Sequence, residues 1–325
     1  MQGRGRLPRG TTLLAPCLAP LASARSAASR PAREVNFGEP SARGLSVSAP
    51  LPVPDGARLL VSVGAGTAIL PRVRARAAAP GGEPYEQLGP LYDRWCAGVD
   101  HDVAFYVLAC EDAAGPIIEL GAGSGRIAVE LARHGHRVIA LDAAPAMLAQ
   151  ADRRASRYGV DDLLETLVGD LRDPPPLPLS DRVLAPFRTF MHLSGDDERR
   201  RALTAAGSLL AEGGQFIFDV FEPSAADIRA THDRWIPRSE GISEHPLWDA
   251  AERRLELDVR LPGRVVSMTL EWRSATEWQV LCVEAGLTVL VAQSGFEGAP
   301  LADQTGDHVF ICGRASERMV SSNGV

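Results

Sequence analysis

Short apolar runs and amphipathic stretches take turns along the chain from residue 116 onward. Pro116 to Leu120 reads as a buried strand, and Arg126 to His134 as an amphipathic helix stopped by Gly135. Arg137 to Leu141 is a second strand. Pro145, which a first helical turn tolerates, opens a helix reaching about Tyr158. Leu164 to Val168 gives a third strand ending at Gly169-Asp170. After prolines at 174, 175, 176 and 178, Arg182 to Ala185 gives a fourth. A helix from Asp196 to Leu210, acidic at its start and followed by Gly213-Gly214, leads into a fifth strand, Gln215 to Phe221. Strands alternating with helices of this length predict an α/β fold, a doubly wound and mostly parallel sheet.

The rhythm breaks between residues 223 and 273. Leu255 to Leu261 and Val265 to Trp272 alternate like antiparallel strands joined at Pro262-Gly263, a small insertion after strand five. A helix from Ala275 to Ala285, then strands at Leu287 to Val291 and His308 to Cys312, complete a seven-stranded sheet. Aromatics begin just after Pro84 (Tyr85, Tyr92, Trp95, Phe105, Tyr106), in spacing that predicts two short helices broken around Gly98. The expected domain therefore runs over residues 83–315, with 316–325 a flexible tail.

Residues 1–82 carry none of this pattern. They are rich in Ala, Pro, Arg and Ser, and Met1 to Arg33 contains no acid. Arginines before the apolar Thr11 to Ala22 offer a targeting reading, but Pro16 and Pro20 break so short a segment. The composition favours an unstructured extension, or sequence upstream of the true start. Leu59 to Gly66 looks like a strand entering a glycine turn. Pro71 arrives before a helix can form, and no second strand ending in an acid follows, so it is a decoy.

Composition removes several function classes. The formal charge of −7 gives no global attraction for nucleic acid or anionic membrane. No apolar run approaches the roughly 20 residues that span a bilayer. Five scattered cysteines (17, 96, 110, 282 and 312) form no C-x-x-C pair, which argues against a zinc site or disulfide framework and suits the cytoplasm. All 34 basic residues are arginine. With Ala, Gly and Pro also abundant, this reflects GC-rich codons and carries no functional weight.

The chemistry centres on Ile118-Glu119-Leu120-Gly121-Ala122-Gly123-Ser124-Gly125-Arg126, which follows a strand and opens a helix. Glycines there let a ligand lie against the main chain beside the amides of the helix start. A dinucleotide fingerprint wants G-x-G-x-x-G, whereas here the third glycine comes one residue early and Arg126 takes its place. Asp142 ends strand two, 21 residues after Gly121, which fits either cofactor class.

With an acid two residues before G-x-G-x-G, the chain resembles the class I S-adenosylmethionine-dependent methyltransferases of small-molecule type, a Rossmann-like fold. Gly169-Asp170-Leu171 after strand three, Glu212-Gly213-Gly214 before strand five, Tyr85-x6-Tyr92-Asp93 and Pro186-Phe187-Arg188 leading to His192-Leu193 extend the resemblance. It implies S-adenosylmethionine as cofactor, with Asp142 on the ribose hydroxyls, Asp170 on the adenine amino group and the Leu171 amide on the ring. The tyrosine segment would fold over the cofactor as a lid that orders on binding. On this reading Tyr85, Tyr92, Glu119, Gly121, Ala122, Gly123, Asp142, Ala143, Met147, Asp170, Leu171 and Phe187 surround the cofactor, with Arg188 and His192 at the reacting end.

Structural roles stand beside these. Asp142 is a favoured helix N-cap, Met147 can simply pack on strand two, and Arg188 and His192 can be structural. His134 and His136 flank a turn at the opposite sheet edge and read as solvated. Trp235, Trp248 and Trp278 read as core or insertion packing. The expected reaction is in-line methyl transfer to a small-molecule N, O or C nucleophile, without a metal. His192, Asp219 and Glu222 are candidate bases by position. The rivals are a non-catalytic cofactor-binding protein and an NAD-linked oxidoreductase. The sequence sets neither the acceptor nor an oligomeric state.

Overall fold

A computed structural model describes residues 61–63, 66–68, 82–301 and 305–315. Val61–Val63 (β1) and Gly66–Ala68 (β2) pair antiparallel in a unit of their own. The other expectations for residues 1–81, and for 316–325, lie outside the described residues.

The second unit opens with α1 (Glu83–Leu88), a 3-10 turn (Gly89–Leu91), α2 (Tyr92–Trp95) and α3 (Val103–Ala109). The alternating core follows as β3 (Ile117–Leu120), α4 (Ala128–Arg133), β4 (Val138–Asp142), α5 (Pro145–Tyr158) and β5 (Leu164–Val168). It continues through β6 (Ser180–Ala185), α6 (Gly195–Ser208) and β7 (Leu210–Glu222). Pro145 starts α5 where its missing N–H costs nothing, and Gly159 ends it at φ 67°, the left-handed conformation a side chain would oppose.

β3 and β6 are buried along almost their whole length because helices cover both faces. Successive side chains therefore serve different layers. Ile118, Leu120 and Val183 join the core shared with α6, whereas Ile117 and Leu184 join the one shared with α3 and α4. β3 pairs in parallel with β4 on one side and β6 on the other, so the strand order reverses between β3 and β6. That reversal opens a crevice at the carboxyl ends of the strands.

The insertion is larger than the sequence predicts. After α7 (Ala225–Thr231) come β8 (Ile236–Ser239), β9 (Ile242–Asp249), β10 (Arg254–Leu261) and β11 (Arg264–Glu271), an antiparallel sheet in the order β11-β10-β9-β8. The hairpin at Pro262-Gly263 is present as expected. The two further strands are masked in sequence by Pro237 and Pro246, residues that disfavour ladder positions. Pro246 fits because β8 pairs β9 only from Ser239↔Ile242 to Ile236↔Glu244, leaving that side of Pro246 without a strand neighbour.

α8 (Ala275–Glu284), β12 (Leu287–Ser294), β13 (Ala299–Pro300) and β14 (Gly306–Arg314) close the domain. The main sheet runs β13-β12-β14-β7-β6-β3-β4-β5, with β14 antiparallel to β7 and β12. It has eight strands rather than the expected seven. The extra one, β13, has two residues and only covers the edge of β12. Reciprocal capping boxes at Ser224/Asp227 and Ser274/Glu277 begin α7 and α8.

Candidate active site

The glycine loop is shaped first by its protein neighbours. Gly121, Gly123 and Gly125 all have positive φ (71°, 57° and 74°). A Cβ on Gly121 would sit 2.4 Å from Cγ2 of Thr189, and one on Gly125 would sit 2.8 Å from Cβ of Ala151. The first glycine thus admits the turn after β6, and the third admits α5. Asp142 locks the arrangement. Its Oδ2 accepts the Gly123 amide at 2.8 Å, and its Oδ1 accepts the Ala144 amide at 2.8 Å. Burial pushes this carboxyl up, while those amides pull it down.

Glu119, two residues before Gly121, is 2% exposed, and its Oε2 has no hydrogen-bond partner among the described residues. Burial raises its pKa to about 8 despite the nearby Arg126. Arg126, which stands where a dinucleotide loop has its third glycine, is held by Asp102 and lies over the Phe187 ring at 4.6 Å.

The opposite wall begins where β6 ends. Phe187 and Arg188 are consecutive non-glycine residues at φ 58° and 63°, a strained pair. Asp219 on β7 over-determines them, accepting the Phe187 amide at 2.7 Å, the Arg188 amide at 3.0 Å and the Tyr106 hydroxyl at 2.6 Å. Burial, with Asp102 nearby, raises Asp219 to about 7. The Arg188 guanidinium bonds Asp307 on β14 (2.6 and 3.1 Å) and lies over Phe221.

This geometry narrows the candidate bases. Asp219 is engaged by three donors and does not line the cavity; Glu222 lies outside it too, with His308 Nε2 3.7 Å away. His192 does line the cavity, and its Nε2 is 2.9 Å from the Tyr85 hydroxyl. Burial lowers its pKa to about 4, so at neutral pH the ring is uncharged. Asp170 is held by Arg172, whose side-chain nitrogens approach to 2.7–3.0 Å and whose amide donates at 2.8 Å. Burial would raise Asp170, but Arg172 keeps it below its ordinary value.

Residues 117–214 match the family model for a methyltransferase domain. That span runs from β3 into β7 and contains the glycine loop, Asp142, Asp170, Phe187, Arg188 and His192. Over that span the chain is similar to methyltransferase domains. The glycine/sarcosine N-methyltransferase of Parasynechococcus marenigrum is 30% identical over 148 residues, covering 42% of this chain and 50% of that protein. The chain thus matches about half the length of that relative. Two solved structures share the fold. The CcbJ methyltransferase of Streptomyces caelestis has a TM-score of 0.64 at 23% identity, covering 73% of this chain and 99% of that one. An S-adenosylmethionine-dependent methyltransferase of Clostridium acetobutylicum has a TM-score of 0.61 at 14% identity, covering 71% and 99%.

All fourteen residues singled out in the sequence line one cavity of this domain, at the carboxyl ends of the parallel strands. Lining residues that the sequence reading does not name include Gly82, Ile127, Thr189, Arg172 and Leu270. Thr189 and Arg172 adjoin recognised motifs. Leu270 comes from the distant β11, and nothing local marks it. Of the tryptophans, Trp248 and Trp278 are buried as expected, whereas Trp235 is 38% exposed, stacked on His245 with Arg260 3.5 Å above its ring.

The raised acids carry a pH signature. Folded Glu119 and Asp219 keep protons that the unfolded chain releases, so the stability they contribute is complete below ordinary carboxylate pKa values. It is lost as pH rises through about 7 to 8. His101, raised by its bond to Asp307, adds the same sign above its ordinary 6.5. His192 and His308 are lowered and act oppositely, but only below about 6.5. The melting temperature of the unliganded protein is expected to fall between pH of about 6.5 and 8, and Glu119→Gln to flatten that slope. A slope unchanged by Glu119→Gln would refute the assignment to Glu119.

Proposed function

We propose that the protein transfers a methyl group from S-adenosylmethionine to a small-molecule acceptor. One observation carries the reading. The glycine loop, fixed through Asp142, shares a single cavity with the Tyr85–His192 pair at the end of β6. When bound, S-adenosylmethionine supplies an electrophilic methyl group on its sulfonium.

The residues present fit that group. Glu119 presents a buried carboxylate oxygen without a partner among the described residues, suited to a cationic amino group. Each Asp142 oxygen uses one acceptor site on an amide and keeps another for a ribose hydroxyl. Asp170 and Leu171 lie at the adenine end, with Met147 and Ala143 as apolar wall. Tyr85, Tyr92 and Phe187 surround the reacting end with aromatic faces, which favour a cation and exclude water. Orientation within this enclosure supplies the acceleration.

His192 decides the kind of nucleophile favoured. At a pKa of about 4 it is a weak base, able to accept a hydrogen bond and orient a donor but ill suited to deprotonating a hydroxyl. A neutral amine needs orientation only, so nitrogen is the favoured acceptor atom. The N-methyltransferase named among the relatives points the same way. The net charge of −7 supports a small molecule over nucleic acid. The compartment we infer is the cytoplasm. Four cysteines are free among the described residues, and no described helix is long and apolar enough to cross a membrane.

The test is methyl-label transfer from S-adenosylmethionine to a panel of amines, amino acids and hydroxylated metabolites, followed by mass spectrometry. Methylated amine with matching release of S-adenosylhomocysteine is the expected result. Saturable cofactor binding with no turnover across the panel would favour a non-catalytic binding protein instead.

Placing an ammonium beside Glu119 should also displace its proton. Between pH of about 6.5 and 8, binding of S-adenosylhomocysteine is expected to release up to about one proton per chain. Calorimetry in buffers of different ionisation enthalpy measures this directly. Zero proton release would remove Glu119 from the amino-group role.

A further inference from the structure

The inserted sheet buries an acid where its alternation calls for an apolar residue. Buried and half-buried positions alternate along β9, and Glu244 falls on the buried side at 2% exposure. A lone carboxylate there would be strongly unfavourable. Its two oxygens are divided between two elements. Oε1 pairs with Arg238 on β8, and Oε2 accepts the indole Nε1–H of Trp95 at 2.9 Å. The Arg238 side chain is equally buried, and its Nε and Nη1 have no partner among the described residues, so Glu244 supplies its compensating charge.

Trp95 ends α2, and from it a line of edge-to-face ring contacts leads into the cavity. Trp95 meets Tyr92 at 5.9 Å between centroids, Tyr92 meets Tyr85 at 5.9 Å, and Tyr85 meets His192 at 5.3 Å. Tyr92, Tyr85 and His192 line the cavity; Trp95 and Glu244 stand behind it. Further ties hold the α1–α2 segment from the insertion side, where Arg94 donates to the Glu240 carbonyl at 2.8 Å and Arg264 to that of Gln87. On its other side Asp93 pairs with Arg154 of α5 at 2.7 Å. These exposed contacts are weak and screened by salt. The charge-assisted bond from Trp95 to Glu244 is short and dry, which makes it the strong one.

We propose that Glu244 is a positioning residue for the methyl-transfer cavity. Acting through Trp95, it sets the α1–α2 segment and with it the placement of the Tyr85–His192 pair. The inserted sheet is the backing of the segment that covers the cavity, and the two move as one body. The ligand readout of this inference rests on the cofactor assignment above; the tether does not.

Trp95→Phe tests it, because an aromatic ring, though a smaller one, remains beside Tyr92, the donor is lost and Glu244 keeps Arg238. Amide exchange across residues 83–95 of the unliganded protein is expected to quicken by at least about tenfold, with exchange in β3 to β5 unchanged. Affinity for S-adenosylhomocysteine is expected to fall by at least about fivefold, a part of the more than tenfold that a hydrogen bond to a charged group is worth, because the bond acts on the cavity through the segment. Glu244→Gln retains an acceptor for the indole but removes the countercharge of Arg238. It should keep exchange in the segment within about twofold of the parent while lowering the melting temperature. Exchange and affinity both within about twofold of the parent in Trp95→Phe would overturn the proposal. Faster exchange with unchanged affinity would overturn the positioning role. Should the parent itself fail to bind S-adenosylhomocysteine, the cofactor assignment fails, and the exchange comparison still decides whether Glu244 holds the segment.

Discussion

Asp142→Ala is expected to weaken S-adenosylhomocysteine binding by at least about tenfold, a loss of about 1.4 kcal/mol or more. Two effects add. The ribose hydroxyls lose a charged acceptor, and hydrogen bonds to charged groups are worth about 1.5–3 kcal/mol each. The glycine loop also loses its lock, because the Gly123 and Ala144 amides both bond this carboxylate. Binding should therefore fall further than the ribose contacts alone require, and the melting temperature should drop by a few degrees, at about 2–4 °C per kcal/mol. Asp142→Asn keeps one acceptor oxygen and should fall between. Calorimetry and thermal melts on the three proteins decide it. Parent-like affinity in a folded Asp142→Ala protein would remove Asp142 from the cofactor site.

Asp219→Ala should show the opposite balance, with a large loss of stability and a smaller loss of affinity. It strands three donors, the Phe187 and Arg188 amides and the Tyr106 hydroxyl, each costing about 1–3 kcal/mol when buried without a partner. It also releases the strain held at two consecutive positive-φ residues. With partial relaxation the net cost is about 3 kcal/mol, which lowers the melting temperature by roughly 10 °C. Asp219→Asn should be milder and, having no proton to lose near neutrality, should flatten the pH dependence of stability. A variant melting within a degree or two of the parent would show that the loop after β6 does not depend on Asp219.

The parts of the fold that were legible in sequence are those where local signals agree. α5 begins at Pro145 and ends before Gly159 as its pattern predicts, because a first-turn proline and a left-handed glycine are local constraints. The glycine loop and Asp142 were legible for the same reason. Asp219 was not. On a strand it looks like a candidate base, and only the folded chain brings the amides of Phe187 and Arg188 onto it. β9 was hidden by Pro246 and by Glu244, an acid on a buried face whose partners lie 149 residues upstream at Trp95 and on the adjacent β8. Leu270 reaches the cavity only because the inserted sheet folds back over it. Long-range satisfaction of buried polar groups is what the linear pattern cannot show.

This cavity is built for S-adenosylmethionine and not for a dinucleotide. Side-by-side calorimetric titrations of the full chain with S-adenosylhomocysteine and with NAD test it most directly. Saturable binding of S-adenosylhomocysteine at one site per chain, lost or strongly weakened in Asp142→Ala, is expected, with no heat of binding for NAD. Saturable binding of NAD with none of S-adenosylhomocysteine would contradict it.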